Sequence, residues 1–334
     1  MVNSQDSSLN ENSVVFHHNR IAALKFFFVN KSVCLSFVFF ISIILFSSST
    51  NGQGCSDAGF CSINSIKSTG DDSLSSEKLN QIKAGAFYGI ADNSISVWGN
   101  YIEYSRKLSG KTGLDIKVTS LSQNGNGIST FGAGDLFVVG NHALNDGVKF
   151  TFGLKIPFSN GNTKRNNVSL PMDFQSGLGT IDLLLGCGFR IKKLQLILAL
   201  QQPLTQNKNE FFSDDYPAVS PISQFQTTNN FIRSGDVFLR ISYPVKITQR
   251  IKLTPGLLPI YHLSNDRFTD GSGIKKEIPG SKGLTLNANF NLDFEVKENS
   301  VLQFSAAAPF IVRETRPDGL TRSLIVSLEY RFRF

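Results

Sequence analysis

Between residues 284 and 296 the chain alternates without a break. Leu284, Leu286, Ala288, Phe290, Leu292, Phe294 and Val296 fall on one side, and Thr285, Asn287, Asn289, Asn291, Asp293 and Glu295 on the other. A period of two marks a β-strand whose faces meet different surroundings. The last segment repeats it: Leu324, Val326, Leu328, Tyr330, Phe332 and Phe334 share a face, opposed by Ser323, Ser327, Glu329, Arg331 and Arg333, with Ile325 out of step. Val148, Phe150, Phe152, Leu154 and Ile156 oppose Lys149, Thr151, Gly153 and Lys155, and Val237, Leu239, Ile241 and Tyr243 oppose Asp236, Arg240 and Ser242. The pattern predicts twelve strands, at 79–90, 94–107, 112–121, 131–142, 147–157, 178–190, 193–203, 230–244, 250–263, 283–296, 300–312 and 321–334, of which the first, second and ninth are less clean. Many alternating strands of about ten residues or more predict an all-β chain, an antiparallel up-and-down transmembrane β-barrel with an apolar outside and a wet lumen.

The connections give an independent test. After even-numbered strands they are short, at 108–111, 143–146, 191–192, 245–249 and 297–299. After odd-numbered strands they are long, at 122–130, 158–177, 204–229, 264–282 and 314–320, with 91–93 the exception. Short turns at one end and long loops at the other are the two ends of an outer-membrane barrel, and an even strand count puts both chain ends at the short-turn side. An open edge would leave backbone groups unpaired in lipid, so the sheet is expected to close.

Composition sharpens this picture. Only 18% of the 334 residues are charged, and Gly (28) and Phe (29) far outnumber Met (2) and Trp (1). That excludes a disordered chain, a coiled coil and a collagen-like fibre. A mean hydropathy of −0.05 is too polar for a bundle of membrane helices. One apolar run, Val33 to Phe46, follows Arg20, Lys25 and Lys31 and precedes small residues at Thr50 and Gly52, suited to cleavage at the Gln53 boundary. It has the length of a signal-peptide core and is short for a membrane span, although a short anchor is the alternative. The expected organisation is therefore a cleaved signal peptide at 1–53, a periplasmic segment or plug at 54–78, and the barrel at 79–334. The leader carries +1 of the net +7, leaving +6 on the mature chain, and no basic cluster interleaved with aromatics points to nucleic acid. Cys55 and Cys61 can close a small disulfide loop in an exported chain, with lipid attachment at Cys55 the rival reading.

The terminal Tyr330-x-Phe332-x-Phe334 resembles the C-terminal assembly signal of bacterial outer-membrane barrels. That likeness implies the barrel assembly machinery and outer-membrane lipids as partners. Gly132-Ala133-Gly134-Asp135-Leu136, with Gly153-Leu154-Lys155-Ile156-Pro157 after a turn, resembles the outer-membrane family associated with meta-pathway phenol degradation. The resemblance implies a barrel channel for small, often hydrophobic compounds.

Parity nominates Asp135, Asp182, Asp236, Arg240, Lys149, Lys155, Asp293 and Glu295 as lumen residues. An acidic set near the outer mouth can bias a pore toward cations or orient a solute. The plainer reading is that these carboxylates form structural bridges with lumen cations such as Arg240 and Arg190. His262-Leu263-Ser264-Asn265 resembles the His-x-Ser-Asn motif of outer-membrane phospholipases, where the His activates the Ser. Counting from Ile251 as outward turns His262 and Ser264 inward, away from lipid. A bulge at a neighbouring proline reverses that parity. No clustered metal ligands and no phosphate-binding Gly loop are present in the sequence, so no cofactor is expected. The leading expectation is a non-enzymatic channel for a small-molecule solute. Behind it stand an outer-membrane lipid hydrolase using His262 and Ser264, and a structural or surface-interaction barrel.

Overall fold

Backbone groups inside a bilayer have only one another as partners, and twelve strands satisfy that demand by closing a ring. The computed structural model describes residues 63–66, 78–319 and 323–334. The leader, Cys55, Cys61 and most of the 54–78 segment lie outside the described residues. The strands are β1 (Asn80–Ile90), β2 (Ser96–Lys107), β3 (Thr112–Gly125), β4 (Ile128–Asn145), β5 (Val148–Pro157), β6 (Asp182–Ile191), β7 (Leu194–Pro203), β8 (Asp236–Ser242), β9 (Ile251–His262), β10 (Gly283–Lys297), β11 (Ser300–Ile311) and β12 (Leu324–Arg333). Each pairs antiparallel with its sequence neighbours. The ring closes between β12 and β1, with Ile82 opposite Phe332 and Lys83 opposite Arg331. Asn80 and Phe334 exchange both backbone bonds, at 3.0 and 3.1 Å, so the barrel begins and ends at one rim.

The alternation read from the sequence is the barrel's inside and outside. On β12, Leu328, Tyr330, Phe332 and Phe334 are exposed on the outer face, while Glu329 and Arg331 are buried within the bore. On β10, Asn287, Asn289, Asn291 and Asp293 are buried and Leu284, Phe294 and Val296 exposed. Among the described residues no helix is long and apolar enough to cross a membrane. The chain spans it with strands.

Three expected boundaries change. Residues 122–130 are no long loop: β3 and β4 run on to a two-residue turn at Asn126-Gly127, whose φ angles of 53° and 72° are those of a hairpin turn with two left-handed residues. Asp135 lies within β4. The strands expected from 178 and 230 begin at Asp182 and Asp236, so Arg233 belongs to the β7–β8 loop.

The remaining long loops fold over the mouth. Leu170 and Phe174 from the β5–β6 loop, and Phe211, Ile222 and Phe225 from the β7–β8 loop, pack on the inward side chains Phe87, Val97, Leu121 and Ile128. Met172, Leu178, Phe231 and Ile278 join the β5–β6, β7–β8 and β9–β10 loops in a second apolar cluster. Apolar burial of this kind, about 25 cal/mol per Å2, holds the loops down as a cover.

Candidate functional site

The bore has two kinds of surface. Strands β1–β3 and β10–β12 line it with charge and amide groups. Lys83 Nζ lies 3.3 Å from Glu103 Oε1, both fully buried. Lys117 Nζ sits 4.1 Å above the Tyr101 ring, and the Tyr101 hydroxyl donates to Glu329 Oε2 at 2.6 Å. Arg331 holds the other Glu329 oxygen at 2.9 Å. Asp293 takes Lys252 at 2.9 Å and accepts from Gln303. Strands β4 and β6–β9 add an apolar patch of Phe137, Val139, Leu184, Ile197, Ala199, Phe238, Leu258 and Ile260, buried inside the ring beside their own charged residues Asp135, Asp182, Asp236 and Arg240.

One described turn touches both surfaces. Ile63 and Ile66 are fully buried in that apolar patch. The turn closes on itself through Ile66 N–H to Ile63 O at 3.0 Å. The Asn64 N–H donates to Glu103 Oε1 at 2.8 Å, and the Ser65 N–H to Asp115 Oδ2 at 3.1 Å.

At the long-loop end, buried charges tie five segments together. His262, at the end of β9, places Nδ1 2.6 Å from Asp236 Oδ1 on β8 and Nε2 2.8 Å from Asp266 Oδ1 in the β9–β10 loop. A carboxylate at each ring nitrogen is the setting that favours an imidazolium, in which both nitrogens donate. Arg233 pairs with Asp236, and its Nε lies 3.7 Å from Asp318 Oδ2 in the β11–β12 loop. Arg313 reaches Asp318 at 3.0 Å and the Ser281 carbonyl at 2.7 Å. Burial alone would lower the Arg233 pKa, but Asp236 and Asp318 beside it raise it. Burial alone would raise that of Asp318, but Arg313 and Arg233 hold it below the usual carboxylate range. At the short-turn end the bore opens into a cavity of about 780 Å3 whose lining includes Asn64, Lys107, Lys149, Arg190, Gln195 and Arg331.

Parity placed Asp135, Asp182, Asp236, Arg240, Lys155 and Asp293 inside, and all six are buried. Lys149 and Glu295 are half-buried toward the short-turn end. Asp182 pairs with Lys155 at 2.9 Å and accepts from Gln201 at 2.6 Å, and Asp236 pairs with Arg233 and His262; Arg190 is exposed. His262 is buried. Ser264 is exposed in the loop and its hydroxyl donates to Ser234 at 2.9 Å, while the two carboxylates occupy both His262 nitrogens, so the two residues form no nucleophile–base pair here. Lys83, Glu103, Asp115, Lys117 and Tyr101 are also buried and are not among the residues that parity nominates. Their signal was available: Tyr101 and Glu103 alternate with Ile102 and Tyr104, and Asp115 and Lys117 with Leu114, Ile116 and Val118. Among the described residues there is no group of three or more potential metal ligands.

No family model matches the sequence, and no curated protein matches it. Solved structures do. The chain is similar to a NanC porin structure (10% identity, 76% of this chain, 98% of that chain, TM-score 0.41). It is similar also to the CymD monoaromatic hydrocarbon channel (8% identity, 78% and 90%, TM-score 0.40). Outer membrane phospholipase A from Escherichia coli matches at 9% identity over 76% and 92%, with a TM-score of 0.34. At such identities and scores these likenesses carry no functional argument, and the barrel rests on the chain's own strand pairing.

Proposed function

We propose that the protein is a passive outer-membrane channel for small molecules with an apolar body. The observation that supports this most is the make-up of the bore: a closed ring with an apolar outside encloses both an apolar patch and buried charged groups, close enough that one short turn touches both. A solute partly apolar and partly polar finds surface for each part. Asp182, Asp236, Arg240, Lys155 and Asp293, with Asp135, Lys149 and Glu295, serve in this reading to build and orient the path, not to make or break covalent bonds. The Tyr330, Phe332 and Phe334 face, the charged leader and the short-turn rim support delivery to the outer membrane through the barrel assembly machinery. A role within the phenol-degradation-associated family is the finer form of the proposal, carried by the Gly132–Leu136 and Gly153–Pro157 segments.

One preparation of the full chain tests it, assayed for current in planar bilayers and for phospholipid hydrolysis. The expected result is discrete current steps sensitive to added solute, and no lipid turnover. A silent bilayer together with hydrolysis that Ser264→Ala abolishes would reverse the assignment to a lipid hydrolase.

A further inference from the structure

The turn Ile63–Ile66 is bound as a ligand is bound. It offers two branched apolar side chains to the patch on β4 and β6–β9, and two N–H donors to carboxylates on β2 and β3. Both isoleucines are fully buried and Ser65 is 2% exposed, so this is an internal site and not a surface contact. The acceptors are not exhausted by it. Glu103 Oε2 is buried without a hydrogen-bond partner among the described residues, although Oε1 of the same group receives both Asn64 N–H and Lys83 Nζ. A buried carboxylate oxygen left so is worth a further donor.

We propose that this stretch of the bore is a binding site for small amphipathic amines, and that the Ile63–Ile66 turn occupies it as a tethered competitor. The choice of head group follows from the acceptors. Glu103 and Asp115 receive N–H groups, whereas a carboxylate head would meet like charge. The nearest cations are engaged, Lys83 by Glu103 and Lys117 over the Tyr101 ring. The choice of body follows from the patch, whose Phe137, Leu184, Phe238 and Ile260 already accept two isoleucine side chains. Turn and solute exclude each other, so the turn lowers the apparent affinity by the fraction of time it is seated. This deepens the channel reading and rests on it only for the solute's way in and out.

The test titrates detergent-solubilised full-length protein with phenethylamine and, as a probe of matched body and opposite head, 3-phenylpropionate, by calorimetry. Ile63→Asp combined with Ile66→Asp unseats the turn without altering the wall. The amine is expected to bind this variant about tenfold or more tighter than the parent, and the acid to bind neither appreciably. Glu103→Gln in the same background is expected to remove the gain. Equal amine affinity in parent and variant, preference for the acid, or full amine binding after Glu103→Gln each overturns the site. If the aspartate pair fails to give a heat-modifiable barrel, Ile63→Ala with Ile66→Ala carries the same comparison. Amine binding without current in planar bilayers sinks the channel reading alone, and current without amine binding sinks this site alone.

Discussion

The Tyr101 hydroxyl reaches Glu329 across the surface that Gly85 leaves bare. A Cβ at Gly85 would stand 2.4 Å from the ring carbon Cζ, so the ring lies where any larger residue would be. Strand β1 is thus thinned at one position to let a β2 side chain reach a β12 carboxylate, and that contact crosses the seam at which the ring closes.

Gly85→Ala is therefore expected to displace Tyr101 and lose its bond to Glu329. The loss should be about 1–3 kcal/mol, close to that of Tyr101→Phe. The double variant should cost little more than either alone, because both remove one interaction. Unfolding of the folded barrel in detergent micelles, followed by heat-modifiable mobility, measures all three. Strict additivity would separate Gly85 from the Tyr101 contact.

The outer face predicts an asymmetry between sequence neighbours. Phe290 packs its ring 6.0 Å from Phe304 on the lipid side, while Asn289 is buried within the bore. Phe290→Arg should impair insertion or stability by about 2–4 kcal/mol near the bilayer midplane, and Asn289→Ala should be milder. Cysteine labelling at the two sites from lipid and from water checks the register directly.

Arg233 holds Asp236 and Asp318 within one buried group. Arg233→Gln leaves those carboxylates without their shared cation, a change worth roughly 3–5 kcal/mol for a buried pair. The expected readout is faster proteolysis in the β7–β8 and β11–β12 loops, with the barrel still heat-modifiable. Unchanged cleavage would show that apolar packing alone secures the cover.

The lowered pKa of Asp318 sets the direction of a pH effect. A carboxyl held below its unfolded value stabilises the loop above about pH 4 and loses that contribution as pH falls through the lowered value. The β11–β12 loop should thus keep its hydrogen-exchange protection from neutral pH down to about pH 4 and lose it below. Asp318→Asn should weaken protection at neutral pH and flatten the acid step.

Phe334 completes the exposed aromatic face of β12 and its backbone closes on Asn80. Phe334→Ala is expected to lower the yield of assembled barrel in the outer membrane more than it alters the current through barrels that form. Normal yield from this variant would detach the terminal aromatic from assembly.

The faces of β5, β8, β10 and β12 were legible because bilayer and lumen impose a strict period of two. Strands β1, β2 and β9 read poorly for a physical reason. Phe87, Val97, Leu258 and Ile260 are apolar and point inward, against the loop cover or the lumen patch, so both faces carry hydrophobic residues there. The β3–β4 hairpin was hidden by Ser122, Gln123 and Asn124, polar residues that resemble a loop, although Asn126-Gly127 is itself a strong turn signal. Pairings such as Asp182 with Lys155 and Asp236 with Arg233 depend on strand stagger and loop course, which alternation along single strands does not encode.

Because β1 finds its second neighbour only in β12, no partial form of this ring lacks exposed edges. A chain halted anywhere before its last ten residues carries two unpaired strand borders, the very surface on which β-rich chains aggregate. Folding must wait until synthesis and export have delivered the final strand. Contacts of such long sequence separation also form slowly. Until β12 meets β1 those borders stay open, so the speed with which the ring closes bears on aggregation as directly as the stability of the closed ring does.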